Sequence, residues 1–417
     1  MKKGILVLLI TTAITIISWF FAPITGELPF VYHLALLIGA LALVGFAWDF
    51  FISARIPVLD SLFNGLDKAY IIHKWLGIAA VVLAVVHTIM LGSADSASGT
   101  GAIDDSARIS GMPSLFLFLV LFSIALLARK MNYETWKKVH KFLLAPYLIG
   151  IIHYYTSSLY HPLDFNLFGI WMNIVNLIGI LSGLYSVFLY ELVAFPYKYH
   201  VTSVKHLADK TVAITGTANG KKLCFRSGQF TFLKMRNDKL QFLSHPFTIS
   251  SAPENEELRF SIKNLGDDTA RLIDAIKVDD VIAVSAAHGM FDYSTGGRHQ
   301  IWIAGGIGIT PFRSFYLSEI PENYSIDFFY GYNNEAEGVY LDELKNLQKP
   351  NLRIHLVDAS QQGFLTVDKM KEQIDLKNLV DIYFCGPLLM RGGLQKDLEN
   401  SGIQVRDFHF EEFQFLK

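Results

Sequence analysis

Six long uncharged apolar stretches, separated by polar breaks, fill the first half of the chain. They cover residues 4–22, 30–48, 75–91, 109–128, 142–160 and 165–190, each long enough to be expected as a membrane-spanning helix. Past Pro196 the apolar runs shorten and alternate with polar positions, at 211–215, 229–235, 258–263 and 281–286. That period of two predicts the strands of a small antiparallel barrel. From about residue 298 the pattern changes again, to buried strands at 300–304, 325–330, 353–357 and 381–384 with helical runs between them. Such alternation predicts an open α/β sheet. The expected fold is a six-span helical membrane bundle (1–198), an antiparallel β-barrel domain (199–297) and an α/β Rossmann-like domain (298–417).

Charge sharpens this division. Residues 1–198 hold 12 Lys+Arg and 10 Asp+Glu, against 24 and 28 in residues 199–417. With a cytoplasmic N-terminus, 11 of those first 12 basic residues fall on the inner side and only Arg108 outside. The positive-inside bias therefore predicts a multi-pass plasma-membrane protein with both termini in the cytoplasm. The first stretch follows Lys2 and Lys3 but lacks a small-residue cleavage site, so it is read as a span and not a leader. The 92–112 loop, rich in Ser, Gly, Ala and Asp, is expected to be mobile and outside. A net charge of −2 gives no reason to expect nucleic acid as a partner. Cys224 and Cys385 are too few for a disulfide framework or an iron–sulfur cluster, so any metal must be held by histidine.

Four histidines lie within the apolar half. His73, just ahead of the 75–91 stretch, and His87 within it are 14 residues apart; His140, just ahead of the 142–160 stretch, and His153 within it are 13 apart. Either gap spans roughly 20 Å along a helix, about two-thirds of a hydrocarbon core. Polar side chains at that depth usually mark a function. Two such helices side by side offer two facing imidazole pairs, one near each surface, each able to hold a haem iron through both axial positions. Fourteen steps fall about 40° short of whole turns, so His73 and His87 share a face. Thirteen fall about 140° short, and Pro146 is expected to make up the difference through a kink or a wide turn.

The second half carries its own motifs. His245-Pro246-Phe247-Thr248-Ile249-Ser250-Ser251 lies among the barrel strands. Lys263-Asn264-Leu265-Gly266-Asp267-Asp268-Thr269 leads into a helical run at 270–276, where free backbone N–H groups suit a phosphate. Gly305-Gly306-Ile307-Gly308-Ile309-Thr310-Pro311 follows a buried strand, and Cys385-Gly386-Pro387 follows another. Glycines at a strand-to-helix turn let the backbone approach a pyrophosphate.

Over nearly its whole length the chain resembles a bacterial member of the NADPH oxidase/ferric reductase family. The resemblance rests on the four histidines in the apolar half and on the four motifs above. It implies a di-haem membrane domain with His73, His87, His140 and His153 as ligands to two b-type haems. It also implies an FAD and nicotinamide module similar to ferredoxin–NADP reductases. In that module Thr248 would lie near the flavin N5 and His245 towards the FAD phosphates. The flavin segments comprise His245, Pro246, Phe247, Thr248, Ser250, Lys263, Gly266 and Thr269. The nicotinamide-nucleotide segments comprise Gly305, Gly306, Gly308, Thr310, Pro311, Cys385, Gly386 and Pro387. Phe413 matches an aromatic that stacks on the flavin, with Phe415 as the runner-up.

One departure concerns the electron donor. NADPH-using relatives tend to carry a Ser and an Arg after the second nucleotide strand, whereas this chain reads Tyr330-Gly331-Tyr332-Asn333-Asn334. NADH is expected to compete with or outdo NADPH, with Arg313 or Arg391 as a candidate substitute for the missing cation. The expected activity is NAD(P)H oxidation coupled to reduction of dioxygen to superoxide across the bilayer, without an obligatory protein partner. One rival is a ferric-chelate reductase with the same path, its acceptor bound by outer loops that carry Asp95, Asp104, Asp105 and His161. The other is an electron-relay subunit for a partner protein.

Overall fold

The computed structural model describes residues 2–22, 29–98, 105–127, 131, 133–157, 165–374 and 378–411. They form two compact units that divide between Leu192 and Val193.

The first unit is helical: α1 (Lys2–Trp19), α2 (Phe30–Ser53), α3 (Val58–Phe63), α4 (Leu66–Ser98), α5 (Asp105–Leu126), α6 (Tyr133–Lys141), α7 (Leu144–Thr156) and α8 (Leu167–Leu184). A π-helical turn, Tyr185–Leu189, links α8 to α9 (Tyr190–Val193). Leu9, Phe20, Val82, Ile89, Phe116 and Leu181 face outward, as side chains in contact with lipid do. Five helical segments are long and apolar enough to cross a membrane: Lys2–Trp19, Phe30–Ser53, Leu66–Ser96, Arg108–Leu126 and Leu167–Val193.

The stretch expected as a further span, 142–160, is built differently. The chain breaks at Phe142 and Leu143, and α7 is only 13 residues long. Residues 158–160 lie outside the described ones. Pro146 has no N–H to offer the carbonyl four residues back, so a regular helix cannot run through Phe142. Short i→i+3 bonds close the turn instead, from Phe142 N to Val139 O (3.0 Å) and from Leu143 N to His140 O (3.1 Å). The 92–112 region also differs from the expected loop: α4 continues to Ser98 and α5 begins at Asp105. Residues 99–104, Asp104 among them, are outside the described set, as is His161.

Small residues bring these helices together, as in membrane bundles where backbones must approach closely. A Cβ on Gly45 of α2 would lie 3.0 Å from Ala80 Cβ on α4. One on Gly179 of α8 would lie 2.9 Å from Ala47 Cβ on α2. Tyr32, Phe46, Tyr147, Tyr154, Phe168 and Met172 fill the centre.

The second unit holds two sheets. The first contains β1 (Tyr197–Ala208), β2 (Thr211–Ala218), β3 (Phe230–Arg236), β4 (Gln241–Thr248), β5 (Glu257–Lys263) and β6 (Val281–His288), with α10 (Asp267–Ala275) inserted after β5. It is antiparallel in the order β4-β3-β6-β1-β2-β5. A bridge between Ile249 and Phe260 joins the two outer strands into a barrel. Its interior is apolar, lined by Tyr199, Ile214, Leu233, Phe260 and Val284. Pro246 is tolerated because β4 lies at the edge of the ladder.

The second sheet is parallel: β7 (His299–Gly305), β8 (Ser325–Tyr332), β9 (Leu352–Asp358), β10 (Val380–Cys385) and β11 (Val405–Phe410), in the order β11-β10-β7-β8-β9. Helices α11 (Thr310–Leu317), α12 (Leu341–Asn346), α13 (Ala359–Gln362), α14 (Val367–Gln373) and α15 (Leu388–Glu399) lie between the strands in sequence. The chain winds outward from β7 through β8 to β9, then returns to β10 on the other flank. The β7–β10 junction is therefore a topological switch point, where doubly wound sheets place their ligand crevice.

Candidate functional site

The helical unit brings its four histidines together two by two. His73 and His87 lie on the single uninterrupted helix α4; His140 lies in the last turn of α6 and His153 in the last turn of α7. The break at Phe142–Leu143 supplies the rotation that a straight helix lacks, so the turn, and not a kink at Pro146, resolves the phase mismatch. His73 faces His140 with ring centroids 6.0 Å apart, and His87 faces His153 at 6.2 Å. Two imidazoles that share one metal at ~2 Å each have ring centroids ~6 Å apart, so the spacing of each pair would suit one metal ion between its two rings.

The second ring nitrogens strengthen the fit. His87 Nδ1 lies 2.8 Å from the Ala35 carbonyl oxygen, and His73 Nδ1 lies 3.3 Å from Asp49 Oδ1. His153 Nδ1 is 3.4 Å from Ser110 Oγ. A carbonyl at Nδ1 can only accept, so Ala35 fixes the His87 tautomer and leaves its Nε2 to a metal. Glycines make room for these contacts. A Cβ on Gly39 would come within 2.7 Å of His87 Nδ1, and one on Gly77 within 2.7 Å of Asp49 Oδ2. The apolar run at 30–48 stops one residue short of Asp49, whereas α2 continues to Ser53 with Asp49 as its lone charge.

In the second unit the two flavin motifs converge. His245, Pro246, Phe247 and Thr248 end β4, and the buried Thr248 pairs with Phe230 of β3. His245 stacks on Phe242, points Nδ1 at the Leu243 carbonyl (2.9 Å), and sets Nε2 3.3 Å from Asp268 Oδ2 at the start of α10. The Thr269 hydroxyl accepts from Leu265 N (3.0 Å) and Gly266 N (3.2 Å), closing the loop at the head of α10. Lys263 pairs with Glu337 at 2.9 Å. Ser250 is buried and links the barrel strands, its hydroxyl 3.1 Å from both Arg259 O and Ser261 Oγ. Ser261 in turn contacts the Tyr340 hydroxyl. Phe413 and Phe415 lie outside the described residues.

The two nucleotide motifs meet at the switch point. Gly305 ends β7, Gly306 adopts the left-handed φ of 53°, and a short turn through Gly308 leads into α11 at Thr310 and Pro311. Proline suits that first turn, where its missing N–H costs nothing. A Cβ on Gly308 would stand 2.2 Å from the Cys385 carbonyl oxygen, and one on Gly386 3.0 Å from Gly305 N. Glycine is thus needed for the turns after β7 and β10 to touch. Cys385 is wholly buried at the end of β10, and burial pushes its thiol well up from the ordinary range. It is a packed neutral group there, with no thiolate for redox work. Pro387 precedes α15.

Neither candidate cation stands free for a 2′-phosphate. Arg313 is buried, donating to Ser250 O (2.7 Å) and Glu343 Oε2 (2.8 Å) and lying 4.5 Å from the Tyr340 ring centroid. Arg391 stacks on Phe410 at 4.1 Å. Arg313→Ala is therefore expected to destabilise the second unit by about 1–3 kcal/mol, because the buried Ser250 carbonyl loses its donor while the partly exposed Glu343 falls back on water. The ratio of NADH to NADPH efficiency should stay unchanged; thermal unfolding and steady-state kinetics on the same preparation check both.

Three family models match successive stretches of the chain. Residues 38–151 match the model of a ferric reductase like transmembrane component, a stretch that holds His73, His87 and His140 and ends two residues before His153. Residues 197–289 match an FAD-binding domain and residues 302–396 an oxidoreductase NAD-binding domain. The toluate 1,2-dioxygenase electron transfer component of Pseudomonas putida is 27% identical over 235 residues, 52% of this chain and 67% of that protein. Flavohemoprotein B of Dictyostelium discoideum is 30% identical over 198 residues, 42% of this chain and 47% of its own length. Dual oxidase 2 of Rattus norvegicus is 26% identical over 324 residues, 69% of this chain but 20% of the oxidase. That is more of the chain than Val193–Gln414 can supply, so the likeness extends into the helical unit. The chain thus spans under half the length of the last two relatives. The solved FAD/NAD-binding domain of a Vibrio cholerae nitric oxide dioxygenase matches at 18% identity and a TM-score of 0.45, over 52% of this chain and 99% of that one. A ferric-reductase-like transmembrane component followed by FAD-binding and NAD-binding modules is the make-up of the NADPH oxidase/ferric reductase family, and this chain has it.

Proposed function

We propose that the protein is a transmembrane NAD(P)H oxidase that moves electrons from cytoplasmic NAD(P)H, by way of FAD and two b-type haems, to dioxygen outside the cell, giving superoxide. The observation that carries this reading is the pair of facing imidazoles at 6.0 and 6.2 Å in a chain that also holds both nucleotide modules. His73 with His140, and His87 with His153, would hold the two haems. Bound to this chain, FAD would accept a hydride and the haems would carry single electrons.

The chain's own groups supply binding and orientation. Thr248, at the end of β4, is the candidate hydrogen-bonding partner for the flavin, with His245 towards its phosphates and Phe413 against its ring. The glycine turn at Gly305–Gly308 leaves backbone N–H groups and the start of α11 open to a pyrophosphate. The Ala35 carbonyl beside His87 Nδ1 holds that ring in the Nδ1–H tautomer. Each haem would be held by two imidazoles, His73 with His140 and His87 with His153, and would supply one-electron transfer to the acceptor. Basic residues such as Lys137 and Lys141 put this side of the bundle in the cytoplasm by the positive-inside bias. The limits 1–198, 199–297 and 298–417 are proposed for the three modules.

Without a cation after β8, a 2′-phosphate forgoes a charge-assisted contact of about 1.5–3 kcal/mol. NADH is therefore expected to exceed NADPH in kcat/KM by roughly tenfold to a hundredfold. Equal or reversed efficiencies would remove that expectation.

The second reading is a ferric-chelate reductase, favoured by the match of residues 38–151 to a ferric reductase like component. Cytochrome c reduction separates the two. If superoxide dismutase abolishes it, oxygen is the acceptor; dismutase-insensitive reduction of ferric citrate supports the rival. Oxidation of NADH by the purified protein in detergent, with no added protein, excludes a relay subunit.

A further inference from the structure

The two histidines of α4 are oriented by the same neighbouring helix, but by chemically different groups. Fourteen residues separate His73 from His87, and fourteen separate Ala35 from Asp49 on the antiparallel helix α2. The register places a neutral backbone carbonyl, Ala35 O, 2.8 Å from His87 Nδ1. It places a carboxylate, Asp49 Oδ1, 3.3 Å from His73 Nδ1. Both atoms are buried, and neither makes a hydrogen bond, to the other or to any other group, among the described residues, so each is the other's nearest candidate partner. The carboxylate is buried, and Gly77, one helical turn beyond His73, leaves the space it occupies. Asp49 is also the only charged residue within the 24 of α2, in a position where a solvated role is not open to it.

We propose that Asp49 is a positioning residue that lowers the reduction potential of the haem held by His73 and His140 below that of the haem held by His87 and His153. This rests on the functional reading above. A carboxylate that accepts the Nδ1 proton of a ligating imidazole raises the ligand's basicity and favours the more positive, oxidised metal. A backbone carbonyl does so less, because it carries no net charge. The first site would then be the stronger reductant, and each electron would pass downhill towards the second. The direction of flow is thereby built into α2, apart from either axial ligand set, which is two imidazoles in both cases.

The test is a potentiometric titration of the full chain in detergent, followed through the haem absorption bands. In the wild type two waves are expected. His87→Ala, which keeps the His73–His140 site, should retain only the lower one; retention of the upper one instead overturns the proposal. Asp49→Asn, with a similar shape and no charge, should raise the lower wave towards the upper and leave the upper in place. Two haems with unmoved potentials in that variant also overturn it. If Asp49→Asn loses a haem, the order of the waves in the wild type and His87→Ala decides alone. A wild-type protein that holds no haem at all refutes the functional reading instead, so the two failures are distinct.

Discussion

Replacing His87 with alanine is expected to halve the haem content of the purified protein and to reduce acceptor reduction across the membrane to background. His87 meets His153 at a centroid distance of 6.2 Å, and among the described residues this is a separate pair from His73 and His140. Fourteen residues of helix put about 20 Å between the two α4 histidines. Without the pair at His87, that distance would lack a carrier. NAD(P)H-driven reduction of a soluble dye at the flavin should survive, because the second unit folds around its own core and has none of these ligands. Haem extraction and parallel assays with a dye and with cytochrome c check both halves. Retention of two haems in the variant would remove His87 from the ligand set.

Gly308→Ala should have the second large effect, at the other end of the path. The added methyl would stand 2.2 Å from the Cys385 carbonyl oxygen and 2.9 Å from Gly386 N, atoms of a neighbouring backbone that no rotamer change can move aside. The turns after β7 and β10 must then separate, at an overpacking cost of about 1–3 kcal/mol. A misplacement of about 1 Å in a binding crevice can lower turnover roughly 100-fold. NAD(P)H-driven reduction is expected to fall on that scale, while chemical reduction of the haems by dithionite remains normal. An unchanged kcat/KM for the nucleotide would mean that the switch point is not where it binds.

The sequence and the structure differ in instructive places. Continuous apolar runs revealed α1, α2, α4, α5 and α8, because lipid imposes one requirement on every outward side chain. The segment with His140 and His153 was harder: hydropathy sees a single apolar run, whereas Pro146 forces the chain to break at Phe142–Leu143 and yields α6 and α7. Strands β2, β3 and β5 to β10 were legible; β1, β4 and β11 were not. β4 contains Pro246, which ordinarily argues against a strand, and only its edge position makes it tolerable. β11 reads Val-Arg-Asp-Phe-His-Phe, and Arg406 and His409 are drawn into a parallel edge by Asp381 of β10. Asp49 was not legible as a site residue, because it stands just past the apolar run at 30–48. Its pairing with His73 depends on the register of α2 against α4, which no local pattern discloses. Arg313 failed as a phosphate ligand for a similar reason, since its partners Ser250 and Glu343 come from distant parts of the chain.

Quantification of protohaem in the detergent-purified full chain, with the spin state read from its ferric spectrum, tests the central claim most directly. Two haems per polypeptide, both low-spin with imidazole on each side, are the expected result. A preparation with no haem, or with a single high-spin haem, would contradict it.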